Sequence, residues 1–235
     1  MTSSADDAGT HRVGDTAHDL LVETVAEIKP RLRGWLHAGT TPLAFLSFLV
    51  MLVLAEGTMV RAGVAVFMIS AVLLFGTSAI YHTRTWTPQR LKVLKRVDHA
   101  NIFVLIAGSS TPFAILLLSE QHAMQLITIM WWGATLGVLF KVFWLDVPRA
   151  VHVPLYLLLG WAPVFYTADF LDSAQHAPLI LLAAGGALYS LGALVYIFKW
   201  PNPSPRYFGF HEVFHAMTIA AFAAHYVGIS ILVYT

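Results

Sequence analysis

The sequence predicts an all-α membrane protein, a seven-transmembrane helix bundle with its N-terminus cytoplasmic and its C-terminus outside. Three observations lead there. Hydrophobic residues make up 57% of the 235 residues and charged residues only 11%, against about a quarter charged in a soluble domain; mean hydropathy is +0.69. The charge is missing in blocks, leaving seven nearly uncharged windows about as long as the roughly 20 helical residues that cross a hydrocarbon core. The basic residues that remain fall on one side of the alternation these windows define. This composition excludes a soluble enzyme and a disordered chain. A net charge of +1 excludes a nucleic-acid partner, which needs a basic surface.

Residues 1–16 are polar, with three acids against Arg12; they read as a disordered cytosolic tail without the apolar core of a secretory signal. Residues 17–36 form an amphipathic or interfacial segment. Within it Leu20, Leu21, Val25 and Ile28 alternate with Asp19, Glu23 and Glu27, the pattern of a helix lying on a membrane surface or of a frayed cytosolic helix. Residues 37–235 make the seven-transmembrane domain, with spans at about 37–55, 62–81, 99–118, 123–144, 151–168, 178–198 and 210–234. Gly57 ends the first span, Pro88 falls in the loop after the second, and Pro201, Pro203 and Pro205 break the chain before the seventh. Pro112 and Pro163 lie inside spans three and five, as membrane helices tolerate when neighbours satisfy the freed carbonyl. No internal repeat is visible.

Orientation follows from Lys and Arg. Of the 14 in the chain, 13 lie in the N-terminal segment or in and beside the loops after spans two, four and six. The opposite side holds only Arg61, beside Glu56, Glu120, Asp169 and Asp172. The positive side is the cytoplasm, which places the chain as a multi-pass protein of the inner (plasma) membrane. An even number of spans would have split the basic loops between faces.

Ionisable groups in or beside a span are costly and mark function by default. They gather at three places: Ser78 and His82 at the end of span two, Asp98 and His99 at the start of span three, and His211, Glu212 and His215 at the start of span seven. All three places are cytoplasmic ends, at one depth. His211 and His215 are four apart and share a helix face, as do Ser78 and His82. Two imidazoles one turn apart reach one ion. Three imidazoles with an open fourth position describe a catalytic zinc site, with His82, His211 and His215 as metal ligands. Asp98 would orient a water there or take its proton, and Ser78 would donate a hydrogen bond to the water or to an oxyanion. The absence of cysteine restricts any metal site to His, Asp or Glu ligands.

Each residue taken singly has a plainer reading. An isolated H-x-x-x-H is more often incidental, His82 can be an interfacial histidine, Asp98 a helix cap or a partner of Arg96, and Ser78 a packing residue. The gathering on three helices favours the site. His99 and Glu212 point about 100° away from their neighbours and read as supporting or interface residues. His225, ten residues past His215, reads as a buried, hydrogen-bonded histidine off the metal-binding face, with a proton or substrate role as the second reading. His37 starts span one with no assigned chemistry, and His11, His18, His122, His152 and His176 read as loop or interface residues.

The segments YHTRTW, KRVDHANIFVLIAGSSTPF and GFHEVFHAMTIAAFAAHYVGI, with the opening EIKPRLRGWLHAG, resemble the motifs of the hemolysin III family. That family is the prokaryotic branch of the progestin and adipoQ receptor superfamily, which includes the adiponectin receptors. The resemblance runs from about Glu27 to the C-terminus. It implies seven helices and a zinc ion near the cytoplasmic face on His82, His211 and His215, with Asp98 and Ser78 acting around its water. Because the adiponectin receptors are associated with ceramidase activity, it also implies hydrolysis of a lipid amide; the bacterial branch is linked to haemolysis and membrane-lipid homeostasis.

The expected function is therefore a zinc-dependent hydrolase of lipid amides or esters, ceramidase-like, with Zn2+ as cofactor and membrane lipids as substrate. One alternative is a non-enzymatic membrane sensor in which zinc pins three helices. Another is a cytolytic pore, as the family name implies. No span carries a polar stripe along its whole length, which speaks against the pore, and His225 is the one ionisable residue deep in a span, which speaks against a transporter.

Overall fold

A computed structural model describes residues 32–144, 147–173 and 175–235. The expected tail at 1–16 and the amphipathic pattern at 17–29 lie outside the described residues. The remainder is helical: α1 (Trp35–Leu54), α2 (Thr58–Thr83), α3 (Pro88–Leu117), α4 (Glu120–Phe143), α5 (Arg149–Gly160), α6 (Thr167–Asp172), α7 (His176–Phe198) and α8 (Phe210–Tyr234). With α5 and α6 taken as one span, seven helices are long and apolar enough to cross a membrane. The architecture is that of a multi-span membrane protein.

Two boundaries differ from the hydropathy windows, each for a physical reason. Helix α3 begins at Pro88 rather than near residue 99, so Pro88 is its first residue and not part of a loop. Thr87 caps it by accepting from the Arg90 N–H, and proline at the first helical position sacrifices a donor that has no intrahelical partner anyway. The basic run Arg90–Arg96 thus forms the first turns of a helix that extends beyond its apolar stretch. Asp98 consequently sits about three turns inside α3, and the helix-cap reading of this residue falls.

The fifth span is not one helix. After Gly160 and Trp161 the chain tightens into a 3₁₀ turn over Ala162–Tyr166 and resumes as α6. Pro163 lies in that turn, where its missing N–H and ring oppose a continuing α-helix. Pro42, Pro112 and Pro154 are carried inside continuous helices instead.

The bundle is apolar inside and out. Phe48, Phe67, Phe75, Phe103 and Phe113 are buried, while Leu43, Val53, Trp132, Leu136, Phe143 and Leu158 are exposed. A helix bundle in lipid has both surfaces apolar, because its solvent is as apolar as its core. Helix α3 is the most enclosed. It packs on α2 and α4, with α5 and α8 also against it, while α1 joins α2 and α8, and α7 pairs with α8. Small residues permit close approach: a Cβ at Gly108 of α3 would fall 2.0 Å from the Ser70 hydroxyl oxygen of α2. Asn101 of α3 donates to the Leu73 carbonyl and to Thr77 of α2, both at 3.0 Å. This bridge lies one turn from Asp98 and beside Ser78, so it fixes the facing of the two helices where the site forms.

Candidate metal centre

The end of α2, the third turn of α3 and the start of α8 converge at one end of the bundle. His82 is in the last turn of α2, and His211 and His215 occupy successive turns of α8. One ligand atom from each of the three lies within 4.8 Å of the others. His82 Nε2 and His211 Nε2 are 3.3 Å apart. Zinc–nitrogen bonds of about 2.0–2.1 Å in a tetrahedron hold ligand nitrogens about 3.3–3.4 Å apart, so this pair already spans one tetrahedral edge. His82 and His215 are buried and His211 is half-buried. Among the described residues this is the one cluster of His and acidic side chains close enough to share an ion. An all-imidazole donor set suits zinc and its first-row neighbours, so the residues fit the metal.

Asp98 stands beside this set rather than in it. Its Oδ2 is 4.0 Å from His82 Nε2 and 3.9 Å from His99 Nδ1. The Ser78 hydroxyl interacts with the Asp98 carboxylate, so the two residues singled out around the metal meet each other. Arg96 is not the partner of Asp98. His99 turns away, as its position next to Asp98 implied, and donates from Nδ1 to the Lys95 carbonyl at 2.7 Å. Its own carbonyl accepts from the Tyr156 hydroxyl of α5 at 3.1 Å.

Several other residues take up roles that their sequence positions left unspecified. His37, with no chemistry assigned from sequence, stacks on His215 with ring centres 3.9 Å apart and planes 15° apart; its other face meets the edge of Phe75. It is buried, and neither ring nitrogen reaches a partner at hydrogen-bond geometry among the described residues, although the His215 backbone lies beside it. Glu212 is fully buried and accepts from the Gly209 N–H and from Arg33 Nε, each at 2.8 Å. It thus caps its own helix and ties α8 to the segment before α1. In that segment Gly34 has φ +86°, and a Cβ on it would lie 2.7 Å from His82 Cβ. His152, expected in a loop or at the interface, is instead buried in α5 with Nδ1 3.2 Å from the Val147 carbonyl. His122, read as a loop or interface residue, lies in the first turn of α4 and pairs with Asp169 at 2.9 Å at the other end of the bundle.

A cavity of about 430 Å³ extends from the cluster into the bundle, lined by His37, Ser78, Asp98, His211, His215 and, at its deeper end, His225. The remaining lining is mostly aliphatic and aromatic, contributed by α3, α5, α6, α7 and α8. An apolar pocket with a few convergent polar groups is the usual form of a small-molecule site.

Comparison with known proteins places the chain in a family. A profile of haemolysin-III-related proteins matches residues 25–226. A hemolysin-3 homolog of Bacillus subtilis (strain 168) is 31% identical over 159 residues, covering 68% of this chain and 71% of the relative. Hemolysin-3 of Bacillus cereus is 30% identical over 134 residues, covering 57% of this chain and 61% of the relative. The adiponectin receptor protein of Drosophila melanogaster is more distant, 27% identical over 184 residues that cover 70% of this chain and 41% of the relative. The chain belongs to the haemolysin-III-related family, with a buried three-histidine cluster able to coordinate a metal.

Proposed function

We propose that this protein is a zinc-dependent hydrolase of lipid amides or esters, ceramidase-like in reaction, acting in the inner membrane and serving lipid homeostasis. Its N-terminus and metal centre face the cytoplasm. One observation carries the reading: three imidazoles and an Asp98–Ser78 pair stand together at the end of an apolar cavity. The basic residues at the same end of the bundle support the orientation.

Zinc, when bound by His82, His211 and His215, supplies a Lewis acid that polarises a carbonyl and makes water a nucleophile near neutral pH. Asp98 accepts the proton of the attacking water and later delivers it to the leaving amine or alcohol, as a positioned carboxylate does in general acid–base catalysis. Ser78 keeps that carboxylate aimed, and its hydroxyl can rotate to donate to the substrate oxygen as charge develops there. The cavity walls hold the acyl chain and exclude bulk water. Purified protein loaded with zinc should release fatty acid from ceramide or another acyl lipid. Inactivity across a broad lipid panel, with zinc verified at full occupancy, would overturn the proposal.

A second reading is a non-enzymatic sensor in which zinc is structural. It is favoured by the way α2 and α8 meet, chiefly through side chains such as Phe67, Phe75 and Phe222, so that a metal would be their firmest link. In that case Asp98→Asn would leave a lipid-homeostasis phenotype intact while His82→Ala abolished it.

A further inference from the structure

Among the described residues, the polar groups that line the cavity divide into those already paired and those left without partners. Ser109 and Ser110 donate to the Ile106 carbonyl, Ser190 to Gly186 and Thr218 to Phe214. Of the buried lining atoms left unpaired, one set is the ring nitrogens of His37 and Nδ1 of His215, beside the metal-binding cluster. The other set is far from it: the Tyr189 hydroxyl on α7 and Nδ1 of His225 on α8. Their rings are neighbours, with centres 5.6 Å apart, and both residues line the same cavity.

The chain makes room for this second pair. Gly185, one turn before Tyr189, faces His225 so closely that a Cβ would fall 2.2 Å from its Cδ2. The imidazole is further held by the edge of Phe113 and by Nε2, which lies 3.2 Å from the Leu182 carbonyl. A carbonyl only accepts, so Nε2 carries the proton, and a neutral ring then presents a bare lone pair at Nδ1. The Tyr189 hydroxyl supplies a donor. A buried donor and a buried acceptor side by side, each costly to leave unsatisfied, match a group that is both, namely a hydroxyl.

We propose that His225 and Tyr189 form a polar subsite that binds a hydroxyl on the acyl chain of the lipid held in this cavity, and so select hydroxylated chains. This rests on the lipid reading given above. The depth sets the position of the hydroxyl. Ten residues separate His215 from His225, about 15 Å along a helix, half of a hydrocarbon core of about 30 Å. A chain whose head lies at the metal-binding cluster therefore meets the subsite near its far end.

The test compares dissociation constants of dodecanoic acid and 12-hydroxydodecanoic acid, whose extended chain matches that depth, for the full-length protein in detergent, loaded with zinc. The hydroxylated acid should bind about five- to tenfold more tightly, the worth of one or two net hydrogen bonds. Tyr189→Phe, which loses a hydroxyl with no hydrogen-bond partner among the described residues, should bind dodecanoic acid as before and reduce the preference to within twofold. His225→Gln, tested in parallel, should reduce it likewise. Equal affinity of the native protein for the two acids would overturn the subsite, leaving Tyr189 and His225 to ordered water. A preference that persists in both variants would overturn it as well. Binding of neither acid would remove the lipid reading itself, and the subsite with it.

Discussion

Replacing Gly34 by alanine adds a single methyl group, yet it should loosen the metal centre. Gly34 has φ +86°, a left-handed conformation that costs an L-residue about 1–2 kcal/mol. The new Cβ would also stand 2.7 Å from His82 Cβ and 3.0 Å from Thr83 Cγ2, distances that require the end of α2 or the preceding segment to shift. The segment is held by the Arg33–Glu212 pair, so His82 should move relative to His211 and His215. Disturbing the residues that orient a ligand typically costs 10–100-fold in metal affinity, and that is the loss expected here. Gly57 provides the control: its φ of +82° with ψ of 142° is, if anything, harder for an L-residue to adopt than the Gly34 conformation, but nothing lies within 4 Å of a Cβ placed there. Zinc affinity measured by competition with a chromophoric chelator should therefore fall in Gly34→Ala and stay within about twofold of native in Gly57→Ala, the usual span of one small contact change. Equal affinities in the two variants would refute the link between this segment and His82.

Asp98→Asn should retain zinc and the fold while hydrolysis falls by about 10²–10⁴, the usual worth of a positioned acid–base group; paired metal analysis and lipid assays check it, and an active variant would return the site to a structural role. Arg33→Ala leaves the buried Glu212 carboxylate, among the described residues, with the Gly209 N–H alone, and losing one member of a buried pair costs about 3–5 kcal/mol; with Arg33 partly exposed, the lower end of that range is expected in denaturation of the zinc-loaded protein. Zinc removal by a chelator should lower the melting temperature of native protein, because a ligand bound only to the folded state stabilises it, but should not shift that of His211→Ala. A cysteine placed at Thr235 should react with an impermeant thiol reagent in intact cells and one at Ser3 only after lysis; the reverse pattern would invert the proposed orientation.

The spans were legible because lipid imposes a uniform demand, about 20 apolar residues, that leaves its mark on composition. Where helices continue past the lipid the demand ends, which is why the charged turns from Pro88 to Val97 carried no hydropathy signal. Proline was ambiguous for a different reason. Pro112 and Pro163 look alike in sequence, yet only Pro163 coincides with a break, because the outcome depends on what packs around each. The three-histidine cluster was legible through spacing, as His211 and His215 share a face whatever their neighbours do. Ser78 was placed near it by sharing a helix face with His82, and Asp98 by depth; their mutual contact depends on how α2 packs on α3.

Long-range pairs left less trace. Arg33 and Glu212 are 179 residues apart, and nothing in either segment names the other. His37 did leave a usable signal, an imidazole just inside an apolar window, and the default reading of such groups as functional applies to it. His225 was correctly read as buried and hydrogen-bonded. That its second nitrogen stays unpaired beside Tyr189 depends on the register of α7 against α8, set by Gly185.

The most direct test is metal content. Native protein purified without added metal, and His215→Ala purified alongside it, should be compared by elemental analysis. The account predicts zinc near one per chain in the native protein, and its loss in His215→Ala because two imidazoles remain where three are needed. Native protein without bound metal, or His215→Ala that keeps its zinc, would contradict it.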